Sequence, residues 1–268
     1  VYNPGNIWFE TAEAYAKAVE TRSGGKVKIQ IAASGSTGDW PASIEGLKIG
    51  TNDIVLQSIG TLDRYNPLPG LEAYPYLIRD LDHFKKVYFG PVGAEFIEEV
   101  AKKSSFRIVG AGYRGARWLT SNKPVKNVND IKGLKLRVPP LKMYRMTWDM
   151  LGASPVPMGA AELFTSMQQG VVDGQENPLT NISSAKLYEV QKYISLTGHK
   201  YESTPFLMSK RSWDRLSDAD KKVLQEAATE ATQLQRKLSK ESDEKLIAEL
   251  KAKGAQINIV DKAAFAKG

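Results

Sequence analysis

The segments LKLRVPP (residues 134–140) and DGQENP (residues 173–178) decide the fold prediction for this chain. LKLRV predicts a strand, and DGQENP begins with an Asp-Gly turn. The residues between them, from 147 to 172, predict an apolar-periodic helix, a turn and a second helix. This is the connection expected between two strands of an α/β domain, and strand ends are where such domains bind ligands.

Helices and strands also alternate in the first part of the chain. Residues 8–22 place apolar side chains on one helical face, and a pair of glycines ends that helix. KVKIQIAA (residues 26–33) follows as a predicted strand, and a short helix over residues 41–50 precedes the strand DIVLQSI (residues 53–59). This order predicts an α/β fold with parallel strand pairing.

The second half of the chain contains a long helical pattern. FRIVGAG (residues 106–112) predicts a buried strand, and residues 117–125 predict a loop. Residues 217–253 contain no Gly or Pro and predict a helix, although a break near residues 239–243 is equally compatible with the sequence. INIV (residues 257–260) predicts a short closing strand.

Composition limits the classes of function. A chain of 268 residues is long enough for one large or two medium domains, and 42% hydrophobic with 25% charged residues predicts a soluble, globular protein. With no cysteine, the chain has no disulfide and no thiolate metal site. The net charge of +7 is scattered among acidic residues, which disfavours nucleic-acid binding.

The motifs of common enzymes are missing. The two histidines, His83 and His199, do not form an HExxH spacing, and the chain has no GxSxG elbow. SGSTG (residues 34–38) lacks the GK[ST] ending of a phosphate loop, and no GxGxxG opens a helix. The sequence therefore predicts no enzyme and no cofactor.

Five segments occur together in an order typical of one family. They are GYRGARWLTSN (112–122), RVP (137–139), GASPVPM (152–158), DGQENP (173–178) and YEVQKYISLTGH (188–199). In this order and spacing they resemble the solute-binding receptors of TRAP transporters, the DctP family. The resemblance covers most of the chain.

The resemblance implies a two-lobed, periplasmic-binding-protein-like α/β fold (a Venus flytrap) with a long interlobe helix, closing on its ligand. Lobe I is expected over residues 1–115 and about 205–250, and lobe II over residues 116–204 and about 251–268. Family members carry a strand before the first residue of this sequence and further helical sequence after its last, so the sequence is expected to be trimmed.

The resemblance also implies three ligand contacts. The arginine of RVP grips the ligand carboxylate in this family, the asparagine of ENP helps to hold it, and the arginine of GxR is a frequent second contact: Arg137, Asn177 and Arg117. A guanidinium offers a planar fork that matches a carboxylate, although a salt bridge between lobes is the alternative for Arg137. Glu176 is expected to be a structural partner of an arginine or of the backbone, and Arg114 a solvated charge.

Departures from the family pattern bear on the ligand. Tyr113 stands at the family's aromatic position and is a candidate wall of the pocket. Where members that bind sialic acid carry polar residues, this chain carries Trp40, Ser58 and Pro140, and where the family commonly carries a phenylalanine it has Ala160. These exchanges predict a roomier and more apolar pocket, because a buried hydroxyl without a partner is costly.

Trp40 is expected to stack on a ring of the ligand. Phe206 and Tyr74 are further candidates for the wall, and both are also candidates for the core. The prediction is an aromatic or apolar monocarboxylate, while a uronate, an aldonate or a dicarboxylate remains the alternative.

The resemblance implies a periplasmic receptor that has no turnover of its own. Its partners are a small carboxylate ligand and the two integral-membrane subunits of a transporter driven by a sodium gradient. A ligand sensor that passes lobe closure to a signalling partner is an alternative that the sequence leaves open.

Overall fold

The computed structural model of the chain describes residues 6–33 and 35–267, and the side chains of residues 240 and 241 lie outside this description. The chain divides into two compact units. Unit 1 comprises Val1–Gly70, Asp80–Arg114 and Ser203–Lys240, and unit 2 comprises Leu71–Arg79, Gly115–Glu202 and Glu241–Gly268. Residues 71–79 and 241–250, which the predicted first lobe includes, thus lie in unit 2.

Helices and strands alternate through much of the chain, as an α/β fold requires. The helices are α1 (Ile7–Arg22), α2 (Trp40–Ile49), α3 (Leu81–Tyr88), α4 (Pro91–Ser104), α5 (Lys142–Met150), α6 (Leu163–Gln168), α7 (Leu179–Ser184), α8 (Lys210–Asp214), α9 (Asp218–Ala252) and α10 (Lys262–Lys267). The strands are β1 (Ile54–Leu56), β2 (Phe106–Val109), β3 (Tyr113–Ser121), β4 (Lys135–Val138), β5 (Ser154–Pro157), β6 (Gly174–Pro178), β7 (Tyr193–Ser203), β8 (Phe206–Ser209) and β9 (Gln256–Asn258).

The sheet of unit 1 has the strand order β1-β8-β2, and both pairings are antiparallel. The parallel pairing predicted for this part of the chain is therefore wrong. The reason is topological, because β8 returns from much later in the chain and lies between the two earlier strands. Helix α2 matches its prediction, and Gly50 ends it with φ 87° in the left-handed region that glycine adopts without strain.

The predicted strand over residues 26–33 forms no strand ladder within the described residues. Its side chains nevertheless alternate between exposed and half-buried, as in an extended strand with one packed face. Val27 and Ile29 pack against the core of unit 1, which includes Tyr15, Phe206 and Leu224. The segment and β1 both border a groove of about 1090 Å³. The segment thus has the side-chain pattern of a strand but no hydrogen-bonded partner strand among the described residues.

The sheet of unit 2 has the order β5-β4-β6-β3-β7-β9. Strand β4 is parallel to both β5 and β6, whereas β3 runs antiparallel to β6. Residues 117–121, predicted as part of a loop, belong to β3, in which every residue is buried. Strand β5 lies where only a turn was predicted between two helices.

Helix α9 is continuous over 35 residues, so of the two alternatives that the sequence left open the unbroken helix is the one that forms. The Ser217 hydroxyl accepts from the Asp220 amide at 3.1 Å and caps its start, and Gly254 follows its end with φ 91°. At 1.5 Å per residue the helix is about 50 Å long. In the part of the chain that the structure describes, no helix is both long and apolar enough for a membrane crossing.

Candidate ligand-binding site

Arg137 lies near the end of β4, a strand with neighbours on both sides. Its register partners are Gln175 on β6 and Val156 on β5. Its Nε and Nη2 both donate to the carbonyl oxygen of Met158, at 2.9 and 2.6 Å, and its residue surface is only 4% exposed. One carbonyl therefore holds one edge of the guanidinium in place.

Asn177 lies on the same face of this sheet as Arg137. Register partners on adjacent parallel strands share a face, and Asn177 follows Gln175 by two residues on β6. Strand spacing and rise place the Cα atoms of Arg137 and Asn177 roughly 8 Å apart, within reach of two polar side chains. The register thus brings together the two residues that were predicted to hold a carboxylate.

The Asn177 amide is bonded at both of its ends. Nδ2 donates to Oε1 of Gln175 at 2.5 Å. Oδ1 accepts from Nη2 of Arg117 at 3.4 Å and from Nδ2 of Asn181 at 3.3 Å. An amide nitrogen carries two hydrogens, and the hydrogen bonds described for Asn177 use one of them.

Arg117 is fully buried and lies between two carboxylates. Its Nε and Nη2 bond the carboxylate of Glu176, the second at 2.8 Å, and its Nη1 bonds Oε2 of Glu202 at 2.9 Å. Its register partner is Pro178, which places it on the face of Glu176, opposite Gln175. The prediction that Glu176 is a structural partner of an arginine is confirmed, whereas a ligand contact by Arg117 stays a prediction.

These charges perturb one another. Burial raises the pKa of Glu176, but the nearby Arg117 charge and the hydrogen bonds outweigh it and lower this pKa to about 2. Burial lowers the pKa of Arg117, and the two carboxylates more than reverse this, so its pKa lies well above the usual value. Glu176 and Arg117 are therefore both charged over the ordinary pH range.

The sequence did not indicate the rest of this buried network. His199 lies with Nε2 3.1 Å from Oε2 of Glu176, and Lys200 lies with Nζ 2.8 Å from Oε1 of Glu202. Tyr144 of α5 donates to the same Glu202 oxygen. Burial lowers the pKa of both His199 and Lys200. His199 is the last residue of the family segment YEVQKYISLTGH, and this position was the only feature of the sequence that could have pointed to His199.

The other candidates in unit 2 lie nearer the surface. Tyr74 is 55% exposed, and Ala160 is also exposed. Pro140 is half-buried and borders a surface depression of about 430 Å³ together with Lys142 and Arg145. Their contact with a ligand stays a prediction.

Trp40, a candidate in unit 1, has a charged neighbour. Its residue surface is 7% exposed, and the guanidinium of Arg114 lies 4.6 Å from its ring centroid. Arg114 is itself buried and donates to Oε1 of Gln57 at 3.3 Å. The prediction that Arg114 is a solvated charge is therefore wrong, because the indole and an amide surround it.

The remaining candidates in unit 1 are also buried. Phe206 stacks on Tyr15 in the core, with ring centroids 4.0 Å apart, and Tyr113 packs against Phe84 at 5.0 Å. The backbone oxygen of Ser58 accepts from the Thr61 hydroxyl at 2.7 Å. A ligand contact by Phe206, Tyr113 or Ser58 stays a prediction.

The sequence matches the DctP family, described as "Bacterial extracellular solute-binding protein, family 7", over residues 1–267. The chain belongs to this family. The sialic acid-binding periplasmic protein SiaP of Vibrio cholerae is 32% identical over 261 residues, which are 97% of this chain and 81% of SiaP.

Solved structures of the family have the same fold. A TRAP periplasmic solute-binding protein of Roseobacter denitrificans with bound L-galactonate has a TM-score of 0.94 and 33% identity, covering 99% of this chain and 88% of that one. Another from Citrobacter koseri, with bound D-glucuronate, has a TM-score of 0.93 and 30% identity, covering 99% and 89%. This DctP chain thus has the two-lobed α/β fold of TRAP solute-binding proteins. Among its described residues, no group of His, Asp or Glu is arranged to hold a metal ion.

Proposed function

We propose that this DctP protein is the periplasmic receptor of a TRAP transporter and binds a sugar acid, a uronate or an aldonate, through Arg137 and Asn177. The observation that carries the proposal is their shared face on adjacent strands, with the Arg137 guanidinium held by the Met158 carbonyl. The ligand-bound relatives support the ligand class, since they contain L-galactonate and D-glucuronate.

The chemistry of the pair suits an organic anion. A guanidinium is permanently charged, and its donors match the two oxygens of a carboxylate. The Asn177 amide adds a neutral donor on the same face. Glu176 is the neighbour that would repel an anion, but its charge is compensated by Arg117 on the other face of the sheet.

A sugar acid agrees better with the structure than an aromatic acid does. The prediction of an aromatic acid depended on Trp40 stacking on a ring, and the Arg114 guanidinium lies against that indole ring. The partners that follow from this function are the integral-membrane subunits of the transporter.

The test is a thermal-shift panel on protein that has been refolded to remove bound ligand. The panel contains D-glucuronate, L-galactonate, sialic acid, succinate and 4-hydroxybenzoate. A ligand at 100 times its Kd adds about 2.7 kcal/mol, which raises Tm by several degrees for a chain of this size. We expect a sugar acid to give the largest shift.

Arg137→Ala should abolish the shift, and Arg211→Ala, which removes an exposed arginine of α8, should keep it. A shift confined to 4-hydroxybenzoate or succinate would contradict the ligand class. If no acid gives a shift that depends on Arg137, the carboxylate receptor itself is refuted.

A further inference from the structure

A chain of buried hydrogen bonds leads from Asn177 into the interior of unit 2. Nδ2 of Asn177 donates to Oε1 of Gln175 at 2.5 Å, and Nε2 of Gln175 donates to Oγ1 of Thr120 at 2.9 Å. The Thr120 hydroxyl in turn donates to Oε1 of Gln191 at 3.5 Å, the longest of the three. All four residues are buried. Every link donates in the same direction, away from Asn177.

The strand register brings these side chains onto one face of the sheet. Thr120 and Gln175 are register partners on β3 and β6, so their side chains share a face, and Asn177 joins that face two residues later. The backbone N–H of Gln191 donates to the Leu187 carbonyl oxygen at 3.0 Å, which fixes the main chain at this residue. Thr120 is the central link, because a hydroxyl can accept from one amide and donate to the other at once.

We propose that Thr120 and Gln175 are positioning residues that fix the orientation of the Asn177 amide, so that Asn177 presents an N–H to the ligand and not its oxygen. The bond from the Gln175 amide nitrogen to Thr120 keeps the Gln175 oxygen turned towards Asn177, from which it accepts. This inference rests on the proposed function, in which Asn177 contacts the carboxylate. The inference also explains why the Asn177 contact would select an anion, since an N–H donates to a carboxylate oxygen.

The opposite orientation of Asn177 is disfavoured at both ends of the amide. Turning the amide over would bring its Oδ1 against the Gln175 oxygen and its NH₂ against the guanidinium of Arg117 and the amide of Asn181. Two acceptors or two donors facing each other in a buried site lose their hydrogen bonds, which is costly. Replacing Thr120 by valine releases Gln175 and so removes the opposition at the Gln175 end, while the donors of Arg117 and Asn181 still face the other end of the amide.

The experiment compares D-glucuronate with its neutral primary amide, D-glucuronamide, by titration calorimetry. Thr120→Val has nearly the same shape as threonine and lacks the hydroxyl, while Thr120→Ser keeps the hydroxyl and is the matched control. We expect Thr120→Val to weaken the binding of D-glucuronate by about tenfold, the value of one oriented hydrogen bond. D-glucuronamide, whose NH₂ can donate to a reversed Asn177, should weaken much less.

The decisive quantity is the ratio of the two Kd values, because Arg137 is unchanged in every variant. The ratio of amide to acid should fall in Thr120→Val and stay at the wild-type value in Thr120→Ser. An unchanged ratio, whether both ligands weaken equally or neither weakens, would overturn the inference. If Thr120→Val does not fold, Gln191→Met, which removes the last acceptor, should lower the ratio to a smaller extent, and an unchanged ratio there overturns it too.

Asn177→Ala separates this inference from the proposed function. If that variant binds D-glucuronate as the wild type does, Asn177 is no ligand contact and the proposed function loses one of its two residues. If Asn177→Ala weakens binding while Thr120→Val leaves the ratio unchanged, only the positioning role is refuted. A wild-type protein that binds no D-glucuronate removes the uronate ligand and this inference together.

Discussion

Removing the charge of Arg117 should destabilise the unliganded protein by about 3 kcal/mol. Arg117→Met leaves two fully buried carboxylates, Glu176 and Glu202, without their shared cation. Breaking a buried ion pair on one side costs about 3–5 kcal/mol. The depressed pKa of Glu176, to which the nearby Arg117 charge contributes, has the same sign as this stabilisation. At 2–4 °C per kcal/mol, we expect Tm to fall by about 6–12 °C.

The assay is thermal unfolding at pH 7.5, with Arg22→Met as the control. Arg22 also bonds two carboxylates, Glu226 and Glu230, but all three side chains are largely exposed, so its replacement should leave Tm nearly unchanged. The double variant Arg117→Met/Glu176→Gln should recover part of the loss, since it removes one unpaired charge. If Arg117→Met and Arg22→Met have the same Tm, the buried ion pair does not stabilise the protein as argued.

The difference in stability between wild type and Arg117→Met should depend on pH, and the pKa of Glu176 gives the sign. The folded pKa of Glu176 is depressed, so the stabilisation by Arg117 is fully present above about pH 4.5 and is lost as pH falls towards 2. Wild type and Arg117→Met should therefore converge in stability over that interval. A difference that persists unchanged at pH 2 would show that Arg117 acts through packing.

Two further predictions concern single positions. Burial raises the pKa of Asp243 to about 6, so its charge opposes folding above that pH, and Asp243→Asn should raise stability by about 1–2 kcal/mol at pH 7.5 and by much less at pH 4, as measured by urea unfolding. A gain that is the same at both pH values would contradict this cause. Gly174→Ala should lower Tm and expression, because an added Cβ would lie 2.6 Å from the Thr120 carbonyl oxygen inside the sheet, whereas Gly50→Ala tests only the cost of a positive φ.

The sequence indicated those elements whose signals are local. Gly50 and Gly254 follow the ends of α2 and α9, and Ser217 caps the start of α9; such signals lie in a few neighbouring residues, so a sequence displays them. Residues 117–121 were misread as a loop because their polar residues, Arg117, Thr120 and Ser121, find partners only in the folded unit. A fully buried strand shows no alternation of polar and apolar residues. Such a strand is therefore recognised from the strands that pair with it and not from its own sequence.

The pairing of strands required information that no short window of sequence contains. In unit 1 the helix–strand order predicted parallel neighbours, but β8 lies antiparallel between β1 and β2. The same limit applies to the site. The resemblance indicated Arg137 and Asn177, while Glu202 and Lys200 of the buried network belong to no segment that was singled out.

The alternation of side chains in DGQENP separates the Glu176 carboxylate from Asn177, the asparagine that we propose as a ligand contact. Gln175 and Asn177 point to the face of Arg137, whereas Glu176 between them points to the other face and bonds to Arg117. One strand of five residues therefore carries a neutral donor on one side and an ion pair that anchors it on the other. A shift of register by one residue would exchange the two faces and place Glu176 beside Arg137, where it would occupy the guanidinium in place of a ligand. The buried pair of Arg117 and Glu176 belongs to the observed register, in which Glu176 faces away from Arg137, so loss of this pair would add to the cost of such a shift.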